Sequence, residues 1–185
     1  MPITIDAFIN AGYKVEELAK EVWLIEDYVS SEDIKSVFDY VATKTDQDWL
    51  NHYMDHLRDR AERDFGTRDV EALNREGKFE ITFDWADKTI MLPGLNIVSK
   101  VNEGIKKIVS YDPNLYFKGA GTLQRQYEGS DLKVHVDNHV DPHVAYACVV
   151  YLNDDYNYGE VIFPEQGLEL KPKAGSMLFF SSAET

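Results

Sequence analysis

The stretch VAYACVVYLNDDYNYGEVIFPEQGLELKPKAGSMLFF (residues 144–180) decides how this chain is read. It breaks into short apolar runs, Val144–Leu152, Glu160–Phe163, Leu168–Leu170 and Met177–Phe180. Turn-forming clusters separate them at Asn153-Asp154-Asp155, Pro164-Glu165-Gln166-Gly167 and Pro172-Lys173-Ala174-Gly175. Runs of this length with this punctuation predict antiparallel strands of a sandwich or barrel. Val144–Leu152 is apolar on both faces, which predicts a central strand. Ala145, Ala147, Val149 and Tyr151 share one face. The small side chains there leave room for a ligand, and the Tyr151 hydroxyl is an available donor. An ordinary core tyrosine with its hydroxyl at the edge is the competing reading. Cys148 faces the other way as a small buried apolar group.

Working toward the amino terminus, Gly119–Tyr127 and Leu132–Asp137 read as two further strands, with Glu128-Gly129-Ser130 as a turn. Before about residue 114 helical spacing dominates. Ser30-Ser31-Glu32-Asp33 opens a helix as a capping box, with Ile34, Val37, Phe38 and Val41 as its apolar stripe. A second helix spans Asp48 to about Asp64, with Trp49, Leu50, Tyr53, Met54 and Leu57 inward. A third runs from Leu95 to Ser110, with Val98, Val101, Ile105, Ile108 and Val109 inward. Val22–Ile25 is strand-like. The expected organisation is one α+β domain over residues 1–185, with helical support over 1–113 and a β-core over 114–185.

The chain has 185 residues and 44% hydrophobic content, enough for a genuine core. Its formal net charge of −14 repels phosphate backbones, which argues against nucleic acid and anionic membranes as partners. One cysteine excludes an intramolecular disulfide and fits a reducing compartment. With no apolar run of membrane-spanning length, the expectation is a soluble, cytoplasmic protein.

Three of the five histidines fall in His135-Val-Asp137-Asn-His139-Val-Asp141-Pro-His143. On a strand, residues i and i+2 share a face about 7 Å apart, so His135 and Asp137 can converge on one point. An imidazole and a carboxylate are two members of the 2-His-1-carboxylate set that holds non-haem iron. A lone H-x-D is also what a surface loop produces. His139-Val-Asp141 has the same spacing, but Pro142 marks the end of the strand.

The order of motifs adds specificity. Tyr127-Glu-Gly129 is followed by His135-Val-Asp137, Tyr151-Leu-Asn-Asp154, Gly159-Glu-Val-Ile-Phe163-Pro164 and Pro172-x-x-Gly175-Ser-Met-Leu-Phe-Phe180. This series resembles the core of the Fe(II)/2-oxoglutarate dioxygenases, in their prolyl-hydroxylase-like branch, over about residues 119–180. The resemblance implies a double-stranded β-helix (jelly roll). It also implies hydroxylation of a protein, peptide or small-molecule substrate by O2, coupled to decarboxylation of 2-oxoglutarate to succinate and CO2. His135 and Asp137 then correspond to iron ligands, Tyr151 and Tyr127 to residues lining the 2-oxoglutarate pocket, and ascorbate to an accessory reductant. Gly159-Glu160 and Pro172-x-x-Gly175 correspond to structural turns.

The family completes its site with a second histidine and then a basic residue, both after the Phe-Phe segment. Here the last histidine is His143 and the last basic residue is Lys173. Three expectations compete. The missing residues lie beyond Thr185, as an exposed edge at Met177–Phe180 would require; or His139 or His143 folds back as third ligand; or the domain is a non-catalytic jelly-roll binding module keeping part of the site.

Other signals carry less. His52 and His56 have zinc spacing, but Tyr53 stands where a zincin motif has glutamate. The arginines between Arg58 and Arg75 are interleaved with acids, predicting an ion-paired surface. Gly119-Ala-Gly121 precedes a strand rather than a helix, and no hydrolase nucleophile motif is present.

Overall fold

A computed structural model describes residues 3–49, 52–79, 88–115, 121–126 and 144–182. Two compact units emerge. The first comprises Met1–Ala42, Pro93–Ala120 and Val134–Thr185, the second Thr43–Leu92 and Gly121–Lys133. The whole is a mixed α/β structure with antiparallel sheets.

In the first unit, β1 (Glu16–Ala19), β2 (Val22–Ile25), β8 (Met177–Ser181) and β5 (Tyr146–Val150) form a four-stranded sheet in the order β1-β2-β8-β5. Each contact is antiparallel, with Val22 opposite Phe180 and Cys148 opposite Phe179. Period-two alternation then sorts the side chains. Trp23, Ile25, Met177 and Phe179 face α1 (Ile5–Asn10) and α5 (Asn96–Val109), where Phe8, Ile105 and Ile108 complete a cluster. Phe8 meets Phe179 edge-on at 5.3 Å, and Tyr146 stacks on Phe179 at 5.5 Å. Such ring pairs contribute about 0.5–1.5 kcal/mol each beyond burial. On the opposite face, Val22, Leu24, Leu178 and Phe180 pack with Val161, Phe163, Leu168 and Leu170 of the hairpin β6 (Val161–Phe163) and β7 (Leu168–Leu170). The β-sheet is thus covered by helices on one side and a hairpin on the other.

Several expectations are corrected by this sheet and its helices. Val144–Leu152 is not a central strand among the described residues: β5 lies at one end of this sheet, and Val149 is 43% exposed. The central place belongs to β8, paired with β2 on one side and β5 on the other, so Met177–Phe180 presents no free edge. Apolarity on both faces reports burial, not strand order; order is set by the distant β2, whose pairing leaves no local trace. Phe38, expected in the stripe of α2 (Ser31–Val41), is 47% exposed, while Val37 is fully buried. The capping box of α2 forms as expected, with the Asp33 N–H donating to Ser30 Oγ at 3.2 Å and the Ser30 N–H to Asp33 Oδ2 at 3.3 Å.

The second unit contains α3 (His52–Phe65), α4 (Val70–Arg75), β3 (Lys88–Met91) and β4 (Thr122–Arg125). β4 was expected in the β-core but pairs with β3 as a separate two-stranded ribbon. Leu57, Ala61, Val70, Leu73 and Phe79 form this unit's apolar cluster. The expected ion-paired arginine surface is present: Arg68 reaches Asp59 at 2.5 Å and Glu62 at 2.8 Å, and Arg63 reaches Asp64 at 3.1 Å.

Candidate functional site

Tyr151 follows β5 directly, and the ladder to the β8 side continues through it. Its N–H donates to the Ser176 carbonyl at 2.9 Å, and its own carbonyl accepts from Gly175 N–H at 2.8 Å. The turn delivering that N–H requires glycine. Gly175 has φ 88°, and a Cβ there would lie 2.9 Å from the Val29 carbonyl oxygen. Pro172-Lys-Ala-Gly175 is therefore the structural turn that the sequence suggests, and it fixes Tyr151.

The Tyr151 side chain lies half-buried on the hairpin side of the sheet, against the Val22–Phe163–Leu178 cluster. Among the described residues its hydroxyl has no hydrogen-bond partner. Burial pushes its pKa well above the ordinary phenol value, with Tyr156 adding to the shift. At neutral pH the group is a protonated donor, which suits a carboxylate or carbonyl acceptor.

The loop beyond Tyr151 is tied down at several points. Asp154 Oδ2 accepts from the Ala174 N–H at 3.1 Å. Lys171 Nζ donates to the Tyr156 carbonyl and sits 4.3 Å from the centre of the Tyr156 ring. That ring would meet a Cβ at position 159, where Gly159 has φ 75°. The sequence pattern marks Asn153–Asp155 as a turn and does not single out Tyr156 or Lys171. The available signal is a pair of tyrosines, Tyr156 and Tyr158, inside a polar loop.

His135, Asp137 and Tyr127 lie outside the described residues, as do the alternative ligands His139 and His143. Of the four predicted site residues, the described structure therefore positions Tyr151. Among the described residues, no group of three or more His, Cys, Asp or Glu side chains is arranged to hold a metal ion. No described helix is long and apolar enough to cross a membrane. Cys148 is partly buried, and burial pushes its thiol pKa up to about 11, as expected of an inert apolar group.

A second polar feature lies where α2 begins. Lys100 Nζ donates to both carboxylate oxygens of Asp33 at 2.7 Å, and Ser30 Oγ adds a donor at 2.7 Å. Asp33 is 8% exposed, and these donors, Lys100 first, hold its pKa below the usual carboxylate value. Asp33 is fully used in joining α2 to α5 and offers nothing further to a ligand. Comparison with protein-family models, with curated proteins and with solved structures finds no match to this chain.

Proposed function

We propose that this protein is a non-haem Fe(II)- and 2-oxoglutarate-dependent dioxygenase of the prolyl-hydroxylase-like type, built on a jelly roll. The observation that carries this reading is Tyr151: a pinned, half-buried tyrosine whose hydroxyl is unspent among the described residues, on the sheet face covered by the β6–β7 hairpin. This is the chemistry that a co-substrate carboxylate needs beside an iron site. The helix-backed sheet opposed by a hairpin is also consistent with a jelly roll.

The donor chemistry fits the metal. A neutral imidazole nitrogen from His135 and a carboxylate oxygen from Asp137 suit Fe(II), and one further ligand would complete a facial set. When bound, iron and 2-oxoglutarate supply O2 activation coupled to decarboxylation, ending in a hydroxylated substrate, succinate and CO2. In this reading His135 and Asp137 donate lone pairs and must both be deprotonated. The Tyr151 hydroxyl donates a hydrogen bond that orients the co-substrate. The apolar wall of Leu178, Phe180 and Phe163 restricts water on that side.

Calorimetric titration with Mn(II) and 2-oxoglutarate tests the reading on the wild type, His135→Ala and Asp137→Ala. Saturable binding in the wild type, lost in both variants, supports it. Binding unchanged in both variants would exclude the metal assignment and leave a non-catalytic binding module as the better account.

A further inference from the structure

Two successive residues of the loop that follows Tyr151 stand in the left-handed backbone region, Tyr158 at φ 63° and Gly159 at φ 75°. Glycine adopts that conformation freely, whereas the Cβ of a tyrosine disfavours it. The Tyr158 side chain is 83% exposed, so burial in the fold does not offset the strain. The loop is anchored just before it. Asp154 accepts the Ala174 N–H, and Lys171 Nζ engages both the carbonyl and the ring of Tyr156. A strained, exposed aromatic side chain on a pinned loop points to recognition of a partner.

The hairpin continues this surface. β6 turns Val161 and Phe163 toward the sheet, so Ile162 points outward, directly opposite Glu169 of β7, and is 56% exposed. Tyr158 and Ile162 are four residues apart, so their Cα atoms lie within about 14 Å, with Glu160 midway along the chain. Residues 153–173 contain five acids and two lysines. Lys171 is engaged by Tyr156, and Lys173 pairs with Glu26 at 3.1 Å. Glu160 and Glu169 are exposed and have no ion pair among the described residues.

Charge selects the occupant. A second copy would bring a further net charge of −14, and anionic membranes and nucleic acid are repelled in the same way. We infer that Tyr158, Glu160, Ile162 and Glu169 form a docking surface for a basic segment of a partner protein, an arginine or lysine flanked by an apolar residue. The Tyr158 ring takes the cation on its face, the two carboxylates pair with it, and Ile162 receives the apolar neighbour. The surface does not depend on the proposed iron centre.

The test is an NMR titration of the full chain in excess EDTA, with a blocked arginine-leucine-arginine peptide as probe and its citrulline analogue as control. The expected result is saturable, salt-sensitive shifts of the Tyr158, Glu160, Ile162 and Glu169 amides. Tyr158→Asn, which suits the left-handed backbone, should melt no lower than the wild type yet bind about two- to fivefold more weakly, the loss of one exposed cation–π contact. Glu160→Gln/Glu169→Gln should weaken binding about fivefold, the loss of two exposed ion pairs. Glu16→Gln/Glu103→Gln makes the same change in net charge elsewhere and should leave affinity within about twofold. No saturable shift with the arginine peptide, equal affinity for the citrulline analogue, or equal weakening by the two glutamine pairs overturns the proposal. Shifts of the same amides on raising the protein concentration without peptide would assign the face to a second copy and overturn it as well.

Discussion

Gly104 of α5 lies directly against the paired hydroxyls of Tyr13 and Tyr28, in space that a Cβ would fill. Tyr28 donates to the Val101 carbonyl at 3.1 Å, and the two rings sit 5.2 Å apart. Burial, reinforced by Tyr13, raises the Tyr28 pKa far above the ordinary phenol value. Gly104→Ala gains about 1 kcal/mol of helix propensity but forces this partly buried pair apart, at about 1–3 kcal/mol. The clash wins. Thermal melts should show a lower Tm for Gly104→Ala, and a Gly104→Ala/Tyr13→Phe double variant should recover part of it.

Removing the α2–α5 tie should be costlier from the carboxylate side. Asp33→Ala loses both the cap and the partner of Lys100, at about 1–2 kcal/mol. Lys100 is 59% exposed in its side chain, so Lys100→Met should cost about 0.5 kcal/mol. Urea melts of the two variants check the ordering.

The Asp33 carboxyl is held below its ordinary pKa in the folded state. Its stabilising contribution is therefore complete above the unfolded value of about 4, and is lost as pH falls through the lower folded value. The stability difference between wild type and Asp33→Asn should be flat from pH 7 to about pH 5 and shrink below about pH 4. A difference that grew on acidification would contradict the assignment.

Tyr151→Phe separates binding from folding. The hydroxyl has no partner among the described residues, so its removal should leave the unfolding free energy within about 0.5 kcal/mol of the wild type. On the proposed function it should weaken 2-oxoglutarate binding about tenfold, as loss of a hydrogen bond to a charged group does. Calorimetry and a melt on the same sample measure both.

Cys148 should resist alkylation. With its thiol pushed up to about 11, little thiolate exists at pH 8, and partial burial adds steric protection. Iodoacetamide labelling at pH 8 should be slow in the native protein and accelerate strongly in urea.

What the sequence disclosed depended on how local the cause was. The α2 capping box needs two residues three apart, and the spacing of Ser30 and Asp33 exposed it; its lock by Lys100 of α5 joins elements far apart in the chain. The hairpin Val161–Leu170 was visible because strand, turn and strand are contiguous. The sheet order was not. β2 pairs with β8 across most of the chain, and that choice placed β8 where β5 was expected. α1 escaped notice because six residues carry too little periodicity to register, although Phe8 is at the core's centre. In the candidate site, Tyr151 could be singled out by its small neighbours on one strand face. The contact of Lys171 with Tyr156 was not legible, because it joins residues fifteen positions apart in the chain.

The pairing of β2 with β8 has a consequence during synthesis. Trp23 and Ile25 are made about 150 residues before Met177 and Phe179, which complete their cluster. Until Met177–Ser181 is available, the first unit lacks the strand that joins β2 to β5. Its sheet must therefore close late and by a long-range encounter, which makes formation slow relative to local helix growth. Throughout that interval, the edge of β2 that β8 later occupies stands open to chaperones and to other nascent chains.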